Sequence, residues 1–145
     1  MGKDRIVMVS VISNTALIIF KLFAGVLMGS VASDFPYPGG NVYGATKAFV
    51  KQFALNLRAD LTGANVRVTD IEPGLCETEF SLVRFKGEAE KAKAPYQGLT
   101  PLSADDIAES VFWTCTLPRH FNVNRIQMMP VMQSFGPFAF ARKKA

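Results

Sequence analysis

Hydrophobic and polar residues in the middle of the chain follow a helical period and then a strand period. From Gly44 to Leu61, apolar residues recur at every fourth position, which predicts an amphipathic helix, and Gly63 is typical of the residue that ends one. The apolar stripe of this helix comprises Phe49, Phe53, Leu57 and Leu61. The β-branched segment 66–72 predicts a strand, and 25–29 predicts an earlier one. A strand, a helix and a second strand in this order predict a parallel sheet.

The C-terminal part of the chain predicts one more helix and one more strand. Ser103 followed by Asp106 resembles a capping box, and the apolar i+4 repeat after it must stop at Pro118. Residues 123–129 predict a strand. The charged segment 77–93 has neither period, so it predicts a long loop with at most a helical turn. The predicted fold class is therefore α/β, with a parallel sheet flanked by helices.

The N-terminal segment 6–28 is unusually apolar and is interrupted only by Lys21. As part of a buried core, residues 6–12 would form a strand. Alternatively the segment is a marginal membrane span, or a secretory signal that ends at the small residues 31–33. The pattern leaves these alternatives open.

Composition excludes several classes of function. The 145 residues are 49% hydrophobic and 19% charged, which is typical of one globular domain with a real core. The net charge is +4, but the basic residues are scattered apart from 142–144 at the C-terminus. No basic stripe or recognised motif supports nucleic-acid binding.

The cysteine and histidine content argues against metal and hydrolase sites. Cys76 and Cys115 are far apart in sequence and have no neighbouring ligand residues, so we expect reduced thiols, a cytoplasmic protein and no metal. His120 is the one histidine of the chain, and no G-x-S-x-G motif accompanies it, which disfavours a Ser-His-Asp hydrolase.

Three side chains stand at a spacing that favours acid–base chemistry. Tyr43 and Lys47 are four residues apart at the start of the predicted helix, so the phenol and the ammonium share one face. A cation beside a phenol favours the phenolate, so we expect the pKa of Tyr43 to fall. Tyr43 would then act as a general acid or base. Ser30, at the end of the strand before it, could hold a substrate oxygen.

Four features together resemble the catalytic half of the short-chain dehydrogenases/reductases. They are the Y-x-x-x-K motif, the serine thirteen residues before its tyrosine, Pro73-Gly74 at a strand end, and Thr78. A narrower resemblance, from about 26 to 134, is to the NADP-dependent 3-hydroxy acid dehydrogenases, also described as serine or allo-threonine dehydrogenases. It rests on four segments: N-V-Y-G-A-T-K-A-F-V-K-Q-F (41–53), V-R-V-T-D-I-E-P-G-L (66–75), T-E-F-S-L-V-R-F-K-G (78–87) and Q-M-M-P-V (127–131).

The resemblance implies an NAD(P)-dependent oxidoreductase that transfers hydride to or from a small hydroxy acid or alcohol. Tyr43 would be its acid/base and would also contact the cofactor. Lys47 would lower the pKa of Tyr43 and bind the nicotinamide ribose, and Ser30 would orient the substrate oxygen. The nicotinamide would lie against Pro73, Gly74 and Thr78. Residues 79–100 would form a substrate loop, and family members are homo-oligomers.

Arg84, within that loop, is a candidate substrate residue. A hydroxy acid carries a carboxylate, and a guanidinium binds a carboxylate through two parallel hydrogen bonds. Arg84 would then select acids over uncharged alcohols. The alternative is an ordinary solvated arginine.

The family pattern also begins with a glycine-rich turn for the cofactor phosphates, and no G-x-x-x-G-x-G precedes Ser30. The expected fold is thus a partial Rossmann-like sheet that lacks the N-terminal cofactor-binding half. We expect an atypical apolar segment at 1–25, the catalytic half at 26–134 and a tail at 135–145. Two alternatives remain: an inactive, truncated family member that associates with longer relatives, and a domain attached to a membrane through 6–28.

Overall fold

A computed structural model describes residues 24–135 and 140–142. Its centre is a parallel three-stranded sheet in the order β1-β2-β3. The strands are β1 (Ala24–Met28), β2 (Arg67–Pro73) and β3 (Arg125–Met128). The α-helices are α1 (Asn41–Asp60), α2 (Phe80–Arg84), α3 (Ala89–Lys93) and α4 (Ala104–Thr116), and Val31–Ser33 and Ala94–Tyr96 are single 3-10 turns. The α/β class, the parallel sheet and its strand order along the chain are as predicted.

The hydrophobic core lies between α1 and the sheet. Leu27, Val68 and Ala54 are buried there, and the neighbouring apolar residues of α1 are Val50, Leu57 and Leu61. The predicted stripe is therefore correct for its C-terminal half only. Phe49 and Phe53 lie outside the core, with 69% and 39% of their surface exposed. A strict i+4 repeat drifts by about 40° per step around a helix, which turns the early members of the stripe away from the sheet.

The segment 77–93 is folded, which corrects the prediction of a long loop. It contains α2 and α3, which contact each other. Lys86 and Gly87 separate them with φ of 54° and 88°, in the left-handed region. Each helix has five residues. Such helices are too short to show a helical period in the sequence.

The start and end of α4 are fixed by specific hydrogen bonds. The predicted capping box is present, because Ser103 and Asp106 each accept from the other's backbone N–H. At the other end, the Arg67 guanidinium donates to the carbonyl oxygens of Leu117 and Cys115. These bonds attach the last turn of α4 to the start of β2.

The N-terminal predictions fall mostly outside the described residues. The strand expected at 6–12 lies there, and so does most of the segment 6–28 on which the membrane and signal interpretations rest. Residues 24–28, the end of the same apolar segment, form β1. Within 24–135 and 140–142, no helix has the length and apolar character needed to cross a membrane.

Candidate active site

Ser30 lies immediately beyond β1, at the carboxyl edge of the sheet, where ligands of open α/β folds bind. It is buried, with 7% of its surface exposed. Its Oγ accepts a hydrogen bond from the Ala32 backbone N–H at 3.1 Å and so caps the 3-10 turn that follows. Because the backbone occupies an acceptor position of Oγ, the hydroxyl hydrogen is left to donate to another oxygen.

Tyr43 and Lys47 approach Ser30 from the first turns of α1. Lys47 Nζ donates to the Met28 carbonyl oxygen at 2.8 Å, which fixes α1 to the end of β1. The same nitrogen lies 5.6 Å from the centroid of the Tyr43 ring, within the range of a cation–π contact. The i,i+4 spacing thus places the phenol and the ammonium on one face, as predicted.

A cavity of about 570 Å³ opens at this edge of the sheet, within the usual range for small-molecule sites. All the site residues predicted from the sequence line it: Ser30, Tyr43, Lys47, Pro73, Gly74, Thr78 and Arg84. They come from the ends of β1 and β2, from α1 and from α2. The structure therefore brings together residues up to fifty-four positions apart in the sequence.

The charge of this cavity is one-sided. Among the described residues that line it, Lys47, Arg84 and Arg142 are cationic and none is acidic. None of these three forms a salt bridge with a described carboxylate. The cavity is therefore suited to an anionic ligand.

Comparison with known proteins agrees with this arrangement. Residues 23–89 match the family model described as "short chain dehydrogenase". The NADP-dependent 3-hydroxy acid dehydrogenase YdfG of Salmonella typhi is 60% identical over 116 residues, which cover 79% of this chain and 47% of that protein. The serine 3-dehydrogenase of Agrobacterium fabrum is 53% identical over 116 residues, covering 80% of this chain and 47% of that one.

The chain belongs to the short-chain dehydrogenase family. The solved structure described as the closed form of serine dehydrogenase complexed with NADP+ superposes with a TM-score of 0.78 at 49% identity, covering 94% of this chain and 56% of that one. The narrower resemblance to 3-hydroxy acid and serine dehydrogenases is thereby confirmed. The chain spans about half the length of the curated relatives it matches.

The acid–base properties of this short-chain dehydrogenase site differ from the sequence prediction in one respect. The pKa of Tyr43 is raised, because burial disfavours the phenolate and outweighs the hydrogen bond from Ser30. A further small lowering of that pKa comes from Arg84. The expected fall in pKa, with Lys47 as its cause, is therefore wrong: spacing alone does not show how deeply a phenol is buried.

Burial also lowers the pKa of Lys47, since it disfavours the ammonium, while Asp70 acts in the opposite direction. Tyr43 is thus held protonated, and Lys47 loses its proton more readily than an exposed lysine does.

The turn after β2 forms a second wall of the cavity. Gly74 N–H donates to the Met128 carbonyl at 2.7 Å, and Leu75 N–H donates to Gln133 Oε1 at 2.8 Å. A Cβ at position 74 would collide with the Gln133 side chain and displace the oxygen that accepts from Leu75 N–H. Thr78 Oγ1 accepts from the Phe80 N–H at 3.2 Å, at the start of α2.

The cavity is also lined by residues to which sequence reasoning gave no individual role, and four of them carry aromatic or charged side chains of interest: Tyr37, Tyr96, Phe140 and Arg142. The Arg84 guanidinium lies 5.7 Å from the Tyr37 ring centroid, and Tyr96 OH donates to the Cys76 carbonyl at 3.2 Å. No motif marks any of the four. Residues 140–142 belong to the segment predicted as a tail, and their described part contacts the same chain: Arg142 donates to the Gln97 and Pro95 carbonyls.

Proposed function

We propose that this chain is an NAD(P)-dependent oxidoreductase that transfers hydride to or from a small hydroxy acid, with NADP as the cofactor. The observation that supports this most directly is the convergence of Ser30, Tyr43 and Lys47 on one cavity that has no acidic side chain among its described lining residues. Relatives named NADP-dependent 3-hydroxy acid dehydrogenase and serine 3-dehydrogenase support the choice of cofactor and substrate class.

The residues present fit the nicotinamide end of such a cofactor, which supplies or accepts the hydride. Pro73 and Gly74 offer a flat backbone surface, and the Thr78 and Tyr43 hydroxyls together with the Lys47 ammonium offer the polar contacts that an amide and a ribose require. We assign Lys47 to the ribose and Thr78 to the carboxamide.

Proton transfer falls to Tyr43. Its raised pKa keeps the phenol protonated at neutral pH, so the tyrosine is prepared to donate a proton to the oxygen of a substrate carbonyl. The Ser30 hydroxyl, which hydrogen-bonds Tyr43 in the absence of substrate, would then hold the same oxygen. In the oxidation direction Tyr43 must lose its proton, and the nearby Arg84 charge favours that step.

Arg84 would bind the substrate carboxylate. It lines the cavity, its charge acts to lower the pKa of Tyr43, and no described carboxylate forms a salt bridge with it. A guanidinium at this place would position the hydroxyl-bearing carbon of a short acid near Tyr43.

Cofactor binding tests the proposal directly. Purified protein is titrated with NADPH while nicotinamide fluorescence and thermal stability are followed. We expect a saturable change that weakens in Lys47→Met and is retained in Lys51→Met, since Lys51 lies one turn further along α1 and pairs with Asp34 instead. No change at millimolar NADPH would contradict the proposal and favour the inactive, associating alternative.

The homo-oligomer implied by the family resemblance stays a prediction. It is supported by apolar residues on α1 that are exposed to solvent: Val42, Phe49 and Leu55. Sedimentation velocity of the purified chain tests it, and a monomer at all concentrations would contradict it.

A further inference from the structure

A partly buried network of charged side chains connects α1 to the sheet. Its side chains come from the turn after β1, from α1 and from β2 and β3: Asp34, Lys47, Lys51, Asp70, Glu72 and Arg125. We call this set the charged network. It contains three carboxyl groups and three cationic groups.

Two of the three carboxyl groups have direct partners. Asp34 forms salt bridges with Lys51 and Arg125. Glu72, which is fully buried, accepts from Arg125 Nε at 2.5 Å, Gln127 Nε2 at 3.1 Å and Ser33 Oγ at 3.3 Å. Lys51 and Arg125 are therefore the cationic partners of these two carboxyl groups.

Asp70 is the carboxyl group that remains. Only 2% of its surface is exposed, and neither of its oxygens has a well-formed hydrogen bond among the described residues, although the Glu72 carboxyl group and the Gly29 backbone lie close enough to lower its pKa. Burial raises the pKa of this carboxyl group, and a nearby positive charge opposes that rise.

Lys47 is the cation that remains. Its ammonium binds a neutral oxygen, that of Met28, and forms no salt bridge with a described carboxylate. Asp70 lies against the next residue, since its Oδ1 is 2.5 Å from where a Gly29 Cβ would be. Lys47 and Asp70 therefore approach neighbouring residues, Lys47 at the Met28 carbonyl oxygen and Asp70 at Gly29.

We propose that Asp70 is a positioning residue for Lys47: its buried carboxylate is the counter-charge that keeps the Lys47 ammonium protonated and bound to the Met28 carbonyl. The pKa shifts are consistent with this pairing. Asp70 opposes the lowering of the Lys47 pKa, and Lys47 opposes the burial that raises the pKa of Asp70. The catalytic meaning of the pair rests on the proposed function, but the pairing itself does not.

The other charged groups around Asp70 determine what each substitution does. Lys51 also favours the ionised form of Asp70, and so does a hydrogen bond with the Glu72 carboxyl group, whose own pKa Asp70 raises in return. Glu72→Gln removes a like charge but keeps a hydrogen-bond donor, so Asp70 should stay ionised. Removing the charge of Asp70 should leave Lys47 with no compensation for its burial.

The test is a titration of Lys47 that needs neither cofactor nor turnover. The lysines are labelled by reductive methylation with a ¹³C-methyl donor, and the Lys47 signal is assigned by its loss in Lys47→Arg. We expect Asp70→Asn to lower the titration midpoint of Lys47 by about one pH unit, the low end of the effect of a nearby opposite charge. Glu72→Gln should leave that midpoint unchanged or raise it, and Asp60→Asn, an exposed control at the end of α1, should leave it unchanged.

An unchanged midpoint in Asp70→Asn would overturn the proposal. So would equal falls in Asp70→Asn and Glu72→Gln, because a purely structural disturbance of β2 predicts the same direction for both. Should Asp70→Asn fail to fold, the reciprocal measurement decides: the carboxyl ¹³C titration of Asp70 must move to higher pH in Lys47→Met. If NADPH fails to bind while these shifts are seen, the proposed function fails and the pairing stands.

Discussion

The cavity and the charged network, which both include Lys47, differ in how they combine positive and negative side chains. On the cavity side, the described lining residues include three cations and no acid. In the charged network, carboxyl groups accompany the cations. The first arrangement leaves positive charge available to a ligand, and in the second, opposite charges offset each other. Lys47 belongs to both, since it lines the cavity and interacts electrostatically with Asp70.

The largest effect should come from the cavity side, at Tyr43. Tyr43→Phe removes the proposed proton donor without changing the size of the ring, so turnover should fall by about 10²–10⁴-fold. Steady-state reduction of a 3-oxo acid by NADPH measures this. Tyr96→Phe is the matched control, because it removes a cavity hydroxyl that binds the Cys76 carbonyl and has no assigned role in proton transfer. Comparable losses in both variants would argue against Tyr43 as the acid.

For substitutions in the charged network, the largest effect should be on the stability of the fold. Glu72→Ala removes the buried acceptor of hydrogen bonds from Arg125, Gln127 and Ser33, so the free energy of unfolding should drop by about 2 kcal/mol. Urea denaturation measures it. Glu88→Ala, which breaks the exposed pair with Lys91, should change it by less than about 1 kcal/mol. If the two substitutions cost the same, the charged network does not stabilise the fold in the way described.

Arg84 tests whether the cavity charge selects substrates. Arg84→Ala should raise KM about tenfold or more for hydroxy acids, the expected loss of a charge-assisted hydrogen bond. The KM for an uncharged alcohol of the same length should change little. Arg84→Lys should recover part of the affinity, because it keeps the charge and loses the two-point geometry. Equal changes for acids and alcohols would remove Arg84 from the substrate site.

The smallest effect is a dependence of stability on pH. Burial, helped by the neighbouring Asp70, raises the pKa of Glu72 from 4.5 to about 7. Between these values the folded chain holds a proton that the unfolded chain has released, so stability decreases as pH rises through this window. The melting temperature should fall by a few degrees from about pH 5 to about pH 7. Glu72→Gln should flatten that slope, and a slope of opposite sign in the wild type would contradict the assignment.

Sequence reasoning recovered the elements and residues that follow local patterns. The helix carrying Tyr43 and Lys47, the strand ending at Pro73 and the capping box at Ser103 each depend on spacing within a few residues. The site residues were found because the family resemblance marks them. They were then shown to line one cavity.

What sequence reasoning missed depends on three-dimensional register and burial. Asp34 meets Arg125 across ninety-one positions, a contact that no periodicity indicates. Asp70 and Glu72 appear in the sequence as charges inside a strand motif, and only the pairing of β2 with β1 and β3 shows what surrounds them. The direction of the Tyr43 pKa was wrong for the same reason, since burial is a property of the fold.

Gly29 has a consequence for how this sequence can change over evolution. A side chain there would collide with Asp70 and also with Glu72, whose Cγ lies 2.9 Å from the Cβ position. Alanine at 29 should therefore occur only in relatives whose residue 70 is smaller than aspartate, so that the two alignment columns covary. Chimeras that combine β1 of one relative with β2 of another should inherit this incompatibility, even when both parents fold well.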